Sequence, residues 1–113
     1  MQAQKLFADY TTEGIVTLVH KVYEGGGATD EEVGDYTTLE ALPNLWETIG
    51  VLEAEGAISL SVIDRMWGAA IIQGWAGWEE PVARLRTATQ TPGSYAYFER
   101  LANKLIRYER RRS

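Results

Sequence analysis

Two adjacent glutamates, Glu79 and Glu80, follow the tryptophans of "GWAGWEEPVARL", residues 74–85. Buried beside indole rings, either carboxyl would be pushed up in pKa far enough to donate a proton near neutrality, which makes the pair the chain's candidate general acid. The same stretch also reads as a binding wall. Trp75 and Trp78 would then flank a groove with Glu79 and Glu80 as its polar lip, because tryptophan often anchors interfaces. A structural reading competes with both: Trp78 is core, Gly74 and Gly77 permit close helix approach, and Gly77 also relieves the clash with Pro81. Helical periodicity accounts for Trp78 unaided. Trp75 stands one residue off that stripe, so it is expected at an edge with an indole N–H that wants a partner. Emptying Trp78 from a core would cost about 3–5 kcal/mol, and Trp75 much less.

Other chemistry-bearing residues converge less. His20 is the single histidine and there is no cysteine, which rules out histidine-rich or thiolate zinc sites, disulfides and thiol nucleophiles. His20 could pair with Glu13 or Glu24, but nothing gathers around them. "TDEEVGDY" supplies Asp30, Glu31, Glu32 and Asp35 without the alternating ligands and closing glutamate of a calcium loop. "EGGGATD" lacks the lysine-serine or lysine-threonine ending of a phosphate loop. "LEAEGAISLSVIDRMWG" has a helix-turn-helix outline, yet its second helix offers no basic reading face. The tail "RYERRRS" could touch phosphates, while its plainer role is a solvated helix end. No catalytic residue, metal or cofactor is therefore expected. The candidate partner-binding residues are Trp75, Trp78, Glu79, Glu80, Arg110, Arg111 and Arg112.

Four helices must position these groups. The first spans about 12–23, capped by Thr11 or Thr12, with Ile15, Leu18, Val19 and Val22 on one face. Residues 24–36 combine glycines with acids and are expected to form an acidic loop. Thr37 and Glu40 stand in capping-box spacing before a second helix over about 38–55, with Leu39, Leu42, Leu45, Trp46, Ile49 and Leu52 as its stripe and Pro43 uncomfortable near its start. Gly56 ends it. The third helix starts near Ser61 and carries Ile63, Met66, Trp67, Ala70, Ile71, Gly74, Trp78, Val82 and Leu85 inward. Pro81 kinks or breaks it, leaving the Gly77 carbonyl without its amide donor. Thr91 is expected to cap the fourth helix with Pro92 in its first turn, and Phe98, Leu101, Ala102, Leu105 and Ile106 form its buried face. The basic end, 107–113, suits the negative pole of the helix dipole. No segment alternates as a strand, so the fold class is all-α, an irregular bundle of about four helices in a single domain over residues 1–113.

The succession "LWETIGVLEAEGAISLSVIDRMWG", with a downstream tryptophan and proline and then "YFERLA", resembles an uncharacterised family of small bacterial all-helical proteins over roughly residues 10–108. That resemblance implies an all-α fold and brings no activity or catalytic residues with it.

Composition narrows the setting. Net charge is −5, divided between a +5 segment over residues 100–113 and −10 elsewhere. The N-terminus shows neither a basic start nor an apolar run of secretory length, and the longest apolar stretch falls short of the ~20 residues of a spanning helix. A cytoplasmic protein with no membrane role is expected. Four tryptophans without a catalytic constellation suggest a non-enzymatic interaction module with a regulatory or accessory role, its partner a protein that could be a second copy of itself. The alternative is an acidic decoy occupying the basic surface of a nucleic-acid enzyme, which requires salt-sensitive binding. Direct nucleic-acid binding is expected, if at all, only through the basic tail.

Overall fold

The structure is a computed structural model describing residues 6, 7 and 9–112. The reading of the N-terminus rests partly on residues 1–5 and 8, and the tail's last residue is Ser113; these lie outside the described residues. Four helices are delimited: α1 (Thr12–Tyr23), α2 (Asp30–Ala54), α3 (Leu60–Thr89) and α4 (Ala96–Arg112). Leu6, Phe7 and Asp9 are also helical, and the described residues contain no strand. The fold is all-α, as the periodicity predicts. None of the helices is long and apolar enough to cross a membrane among the described residues.

The first helix begins where the sequence places it, with Thr11 Oγ1 accepting the Gly14 N–H at 3.0 Å. The second does not. Its start is Asp30, so the acidic loop expected over 24–36 shrinks to residues 24–29. The cause is a capping box one cycle earlier than the one read from the sequence. Thr29 Oγ1 accepts the Glu32 N–H at 3.1 Å, and Glu32 Oε1 accepts the Thr29 N–H at 3.0 Å. Asp30, Glu31 and Glu32 then sit at the positive end of the helix dipole. Thr37, the expected cap, lies inside the helix and donates to the Val33 carbonyl instead. Pro43 is tolerated well within α2, fully buried.

Ser59 Oγ caps α3 by accepting the Val62 N–H at 3.3 Å. This helix passes through Pro81 as one element rather than breaking in two. The Gly77 carbonyl that Pro81 cannot serve accepts the Thr12 hydroxyl at 3.0 Å, so α1 supplies the missing donor. At its C-terminus Gln90 takes a left-handed φ of 55°. The Thr91 N–H donates to the Arg86 carbonyl at 3.0 Å, an arrangement that glycine ordinarily serves. Gly56 does so after α2, at φ 79°. Replacing Gln90 with glycine is therefore expected to raise stability by about 0.5–1 kcal/mol, read as a higher urea midpoint. An unchanged or lower midpoint would contradict the left-handed cap.

The fourth helix starts at Ala96, after the position expected from Thr91 and Pro92. Residues 92–95 instead form a turn in which the Ser94 N–H donates to the Thr91 carbonyl at 3.0 Å. The cap comes from a distant residue: Glu47 Oε1 accepts the Phe98 N–H at 2.7 Å, placing a carboxylate at the helix's positive pole.

Contacts gather the chain into two compact units. One comprises the chain up to Leu42 with Gly77–Ser94. Its core joins Ile15, Leu18 and Val19 of α1, Tyr36 and Leu39 of α2, and Trp78, Val82 and Leu85 of α3. Tyr36 makes edge contacts with Tyr23 at 5.4 Å and Trp78 at 6.2 Å. The other unit comprises Pro43–Ala76 and the chain from Tyr95 onward. It packs Trp46 and Ile49 of α2 with Ile63, Ile71 and Trp75 of α3 and Phe98, Leu101, Ala102 and Leu105 of α4. Each unit thus packs three helical segments around its own apolar centre.

Candidate functional site

Both tryptophans of the 74–85 stretch are buried, Trp75 at 6% exposure and Trp78 at 7%. Trp75 is no groove edge. The inward stripe runs Ile63, Ile71, Trp75, Trp78, Val82 and Leu85, stepping from Ile71 to Trp75 by four and then to Trp78 by three. The sequence reading gave that central place to Gly74. In the structure Gly74 is the small residue over which Trp46 and Phe98 close, their atoms lying 3.4 and 3.6 Å from where its Cβ would be. Trp75 meets the Phe98 ring edge-on at 5.1 Å. Glu79 and Glu80 are both exposed, so neither has the burial that a general acid near neutrality requires.

Arg110, Arg111 and Arg112 are all exposed, and Arg112 also binds its own chain. Its Nη1 donates to Asp64 Oδ2 at 2.6 Å, lies 3.6 Å from Glu109 Oε2, and its guanidinium sits 5.6 Å over the Tyr108 ring. The Asp64 side chain is only 4% exposed. Its second oxygen, Oδ1, is buried without a hydrogen-bond donor. The Glu109 carboxyl, hydrogen-bonding Asp64, is held above the usual carboxylate range by that bond, then by burial and the Asp64 charge, against the pull of Arg112. Beside the pair lies a cavity of about 340 Å³ lined by Asp64, Ala69, Ile72, Gln73 and Glu109.

The remaining sequence candidates form small surface pairs. His20 Nδ1 is 3.3 Å from Glu24 Oε2, and Arg84 grips the same carboxylate through two bonds of 3.1 and 3.0 Å. That grip holds Glu24 below the usual carboxylate range. Of the acids in "TDEEVGDY", Glu32 binds Lys21 at 2.6 Å and Asp35 accepts the Tyr10 hydroxyl at 3.1 Å. Among the described residues no three His, Cys, Asp or Glu side chains gather as metal ligands. Glu53, 10% exposed, holds Arg100 at 3.0 Å and Lys104 at 2.6 Å.

Three leucines assigned to the core stripe of the second helix turn outward instead. Leu42 is 38% exposed, Leu45 47% and Leu52 40%, with Val51 beside them at 37%. The inward positions are Tyr36, Leu39, Pro43, Trp46 and Ile49. From Val33 to Leu52 every exposed residue of α2 is uncharged. The excess of apolar residues around α2 was the available signal for this face. Asp64 and Glu109 offered none, because a pairing across the chain leaves no local spacing to read.

No curated protein and no solved structure matches this chain. The family described as Domain of unknown function (DUF4760) matches residues 3–105, and the chain belongs to that family.

Proposed function

We propose that the protein is a non-enzymatic interaction module that pairs with a second copy of itself through the outer face of α2 over residues 44–52. The observation that carries this reading is the uncharged run of exposed residues there, Asn44, Leu45, Thr48, Val51 and Leu52, on a chain of net charge −5. Two such chains repel wherever acidic surfaces approach, so the face without charge is the one on which copies meet at least electrostatic cost. Leu45 and Leu52 stand seven residues apart, the spacing at which one helical stripe packs against a partner helix. The acids Glu24, Glu32, Glu53 and Asp64 each hold a cation of their own chain, which leaves them less available to a basic partner than a decoy would need.

Sedimentation equilibrium tests the reading. The native protein is expected to dimerise with concentration, and Leu45→Lys combined with Leu52→Lys to remain monomeric with an unchanged helical spectrum. Association through an uncharged apolar face should persist or tighten as salt screens the net repulsion. A native protein that stays monomeric throughout, or a double variant that still dimerises, would overturn it.

A further inference from the structure

We infer that the outer stripe of α4, formed by Arg100, Lys104, Arg107, Arg110 and Arg111, is a docking surface for the phosphate backbone of a nucleic-acid duplex. The inference does not rest on self-association through α2. Residues 100, 104, 107 and 111 recur at steps of four, three and four, so their side chains leave the helix along one line, with Arg110 beside it. Phe98, Leu101, Ala102 and Leu105 fill the opposite face and are buried. Glu109 is the one acid between Arg100 and Arg111, and it hydrogen-bonds Asp64 of α3. Glu53 holds both Arg100 and Lys104, so one carboxylate serves two cations. The side chains of Arg107, Arg110 and Arg111 make no hydrogen bond or ion pair among the described residues. Arg110 and Arg111 complement the helix dipole in the last turn. That effect fades within one turn and does not reach Arg107, Lys104 or Arg100.

Spacing and side-chain chemistry choose the partner. The rise from Arg100 to Arg111 is about 16 Å, with one cation of the line every ~5.5 Å, a regular row suited to a regularly charged polymer. Four of the five cations are arginines, whose planar fork grips phosphate oxygens in pairs. A lipid surface fits less well, because the apolar side chains that an interfacial helix would insert are committed to the core. Single strands are held by stacking their bases on aromatic rings. Between Arg100 and Arg111 the one aromatic ring is Tyr108, and the Arg112 guanidinium sits 5.6 Å over it. The chain's net charge is −5, yet at ~0.1 M salt the Debye length is about 10 Å, so a duplex against the stripe feels the adjoining cations more than acids farther away.

Fluorescence anisotropy of a labelled duplex of about 20 base pairs, titrated with the whole protein, tests this. With three phosphates neutralised by the three unpaired arginines, affinity is expected to fall about fortyfold between ~50 and ~200 mM salt. Dimerisation through α2 carries the opposite salt dependence, so failure of one reading is distinguishable from failure of the other. Arg107→Gln should cost about tenfold at ~50 mM salt and lower the salt slope by about one. Arg84→Gln, which removes from α3 a cation bound to Glu24, should cost less than about twofold. Arg107→Gln combined with Arg110→Gln and Arg111→Gln should lose at least about a hundredfold with an unchanged helical spectrum. Should that triple variant fail to fold, Arg107→Gln alone carries the test. Absence of saturable duplex binding, an affinity indifferent to salt, or equal losses in Arg84→Gln and Arg107→Gln would each overturn the inference. So would tighter binding to the single strand, to phosphatidylserine vesicles or to polyglutamate than to the duplex.

Discussion

Trp75→Ala is expected to destabilise the protein by about 3–5 kcal/mol, as much as Trp78→Ala. The two rings are equally inaccessible, at 6% and 7%, and each anchors a different unit. Trp75 stands against Phe98, and Trp78 against Tyr36. Truncation forfeits the transfer of a large aromatic surface and leaves a void that neighbouring helices fill only in part. It also removes an edge-to-face contact worth about 0.5–1.5 kcal/mol beyond area. Met66→Ala, on the same helix but 60% exposed, should stay within about 0.5 kcal/mol of the native protein. Urea unfolding followed by circular dichroism checks all three. A Trp75→Ala midpoint close to that of Met66→Ala, with Trp78→Ala far below, would restore the edge position read from the sequence.

Glycine-to-alanine substitution in α2 is expected to change sign between two positions of one helix. At Gly34 a Cβ meets nothing within 4 Å, so alanine brings only its helix propensity and should stabilise by up to about 1 kcal/mol. At Gly50 the same Cβ would lie 2.5 Å from the Tyr97 carbonyl oxygen and 2.8 Å from its carbon. These are backbone atoms of α4 that cannot rotate aside. Either the helices move apart or the chain strains, and overpacking of this kind costs about 1–3 kcal/mol. The clash outweighs the propensity gain, because separation would also disturb the Glu47 cap on the Phe98 N–H. The difference in unfolding free energy between the two variants measures it directly. Equal stabilisation by both would refute close approach at Gly50.

The candidate sites were less legible than the helices, and the reason lies in the range of the determinants. Thr11 as a cap, Gly56 as a terminator and the periodic stripe of α4 act within a turn or two of backbone, so the sequence by itself determined that the chain is all-α and where α1 lies. Where two local solutions competed, sequence could not choose. Thr29 with Glu32 and Thr37 with Glu40 share one capping pattern, and the first prevails with Lys21 of α1 bound to Glu32. Pro43 and Pro81 both break local rules, yet α3 stays continuous while the Thr12 hydroxyl serves the Gly77 carbonyl from 65 residues away. The apolar residues of α2 exceed one face, and only packing decided that Trp46 turns in while Leu45 and Leu52 turn out. Arg112 meets Asp64 across 48 residues, and the cavity beside them is lined jointly by Asp64 of α3 and Glu109 of α4. A helix is specified by neighbours along the chain, whereas a shared guanidinium, an orphan oxygen and a bare apolar face are specified by neighbours in space.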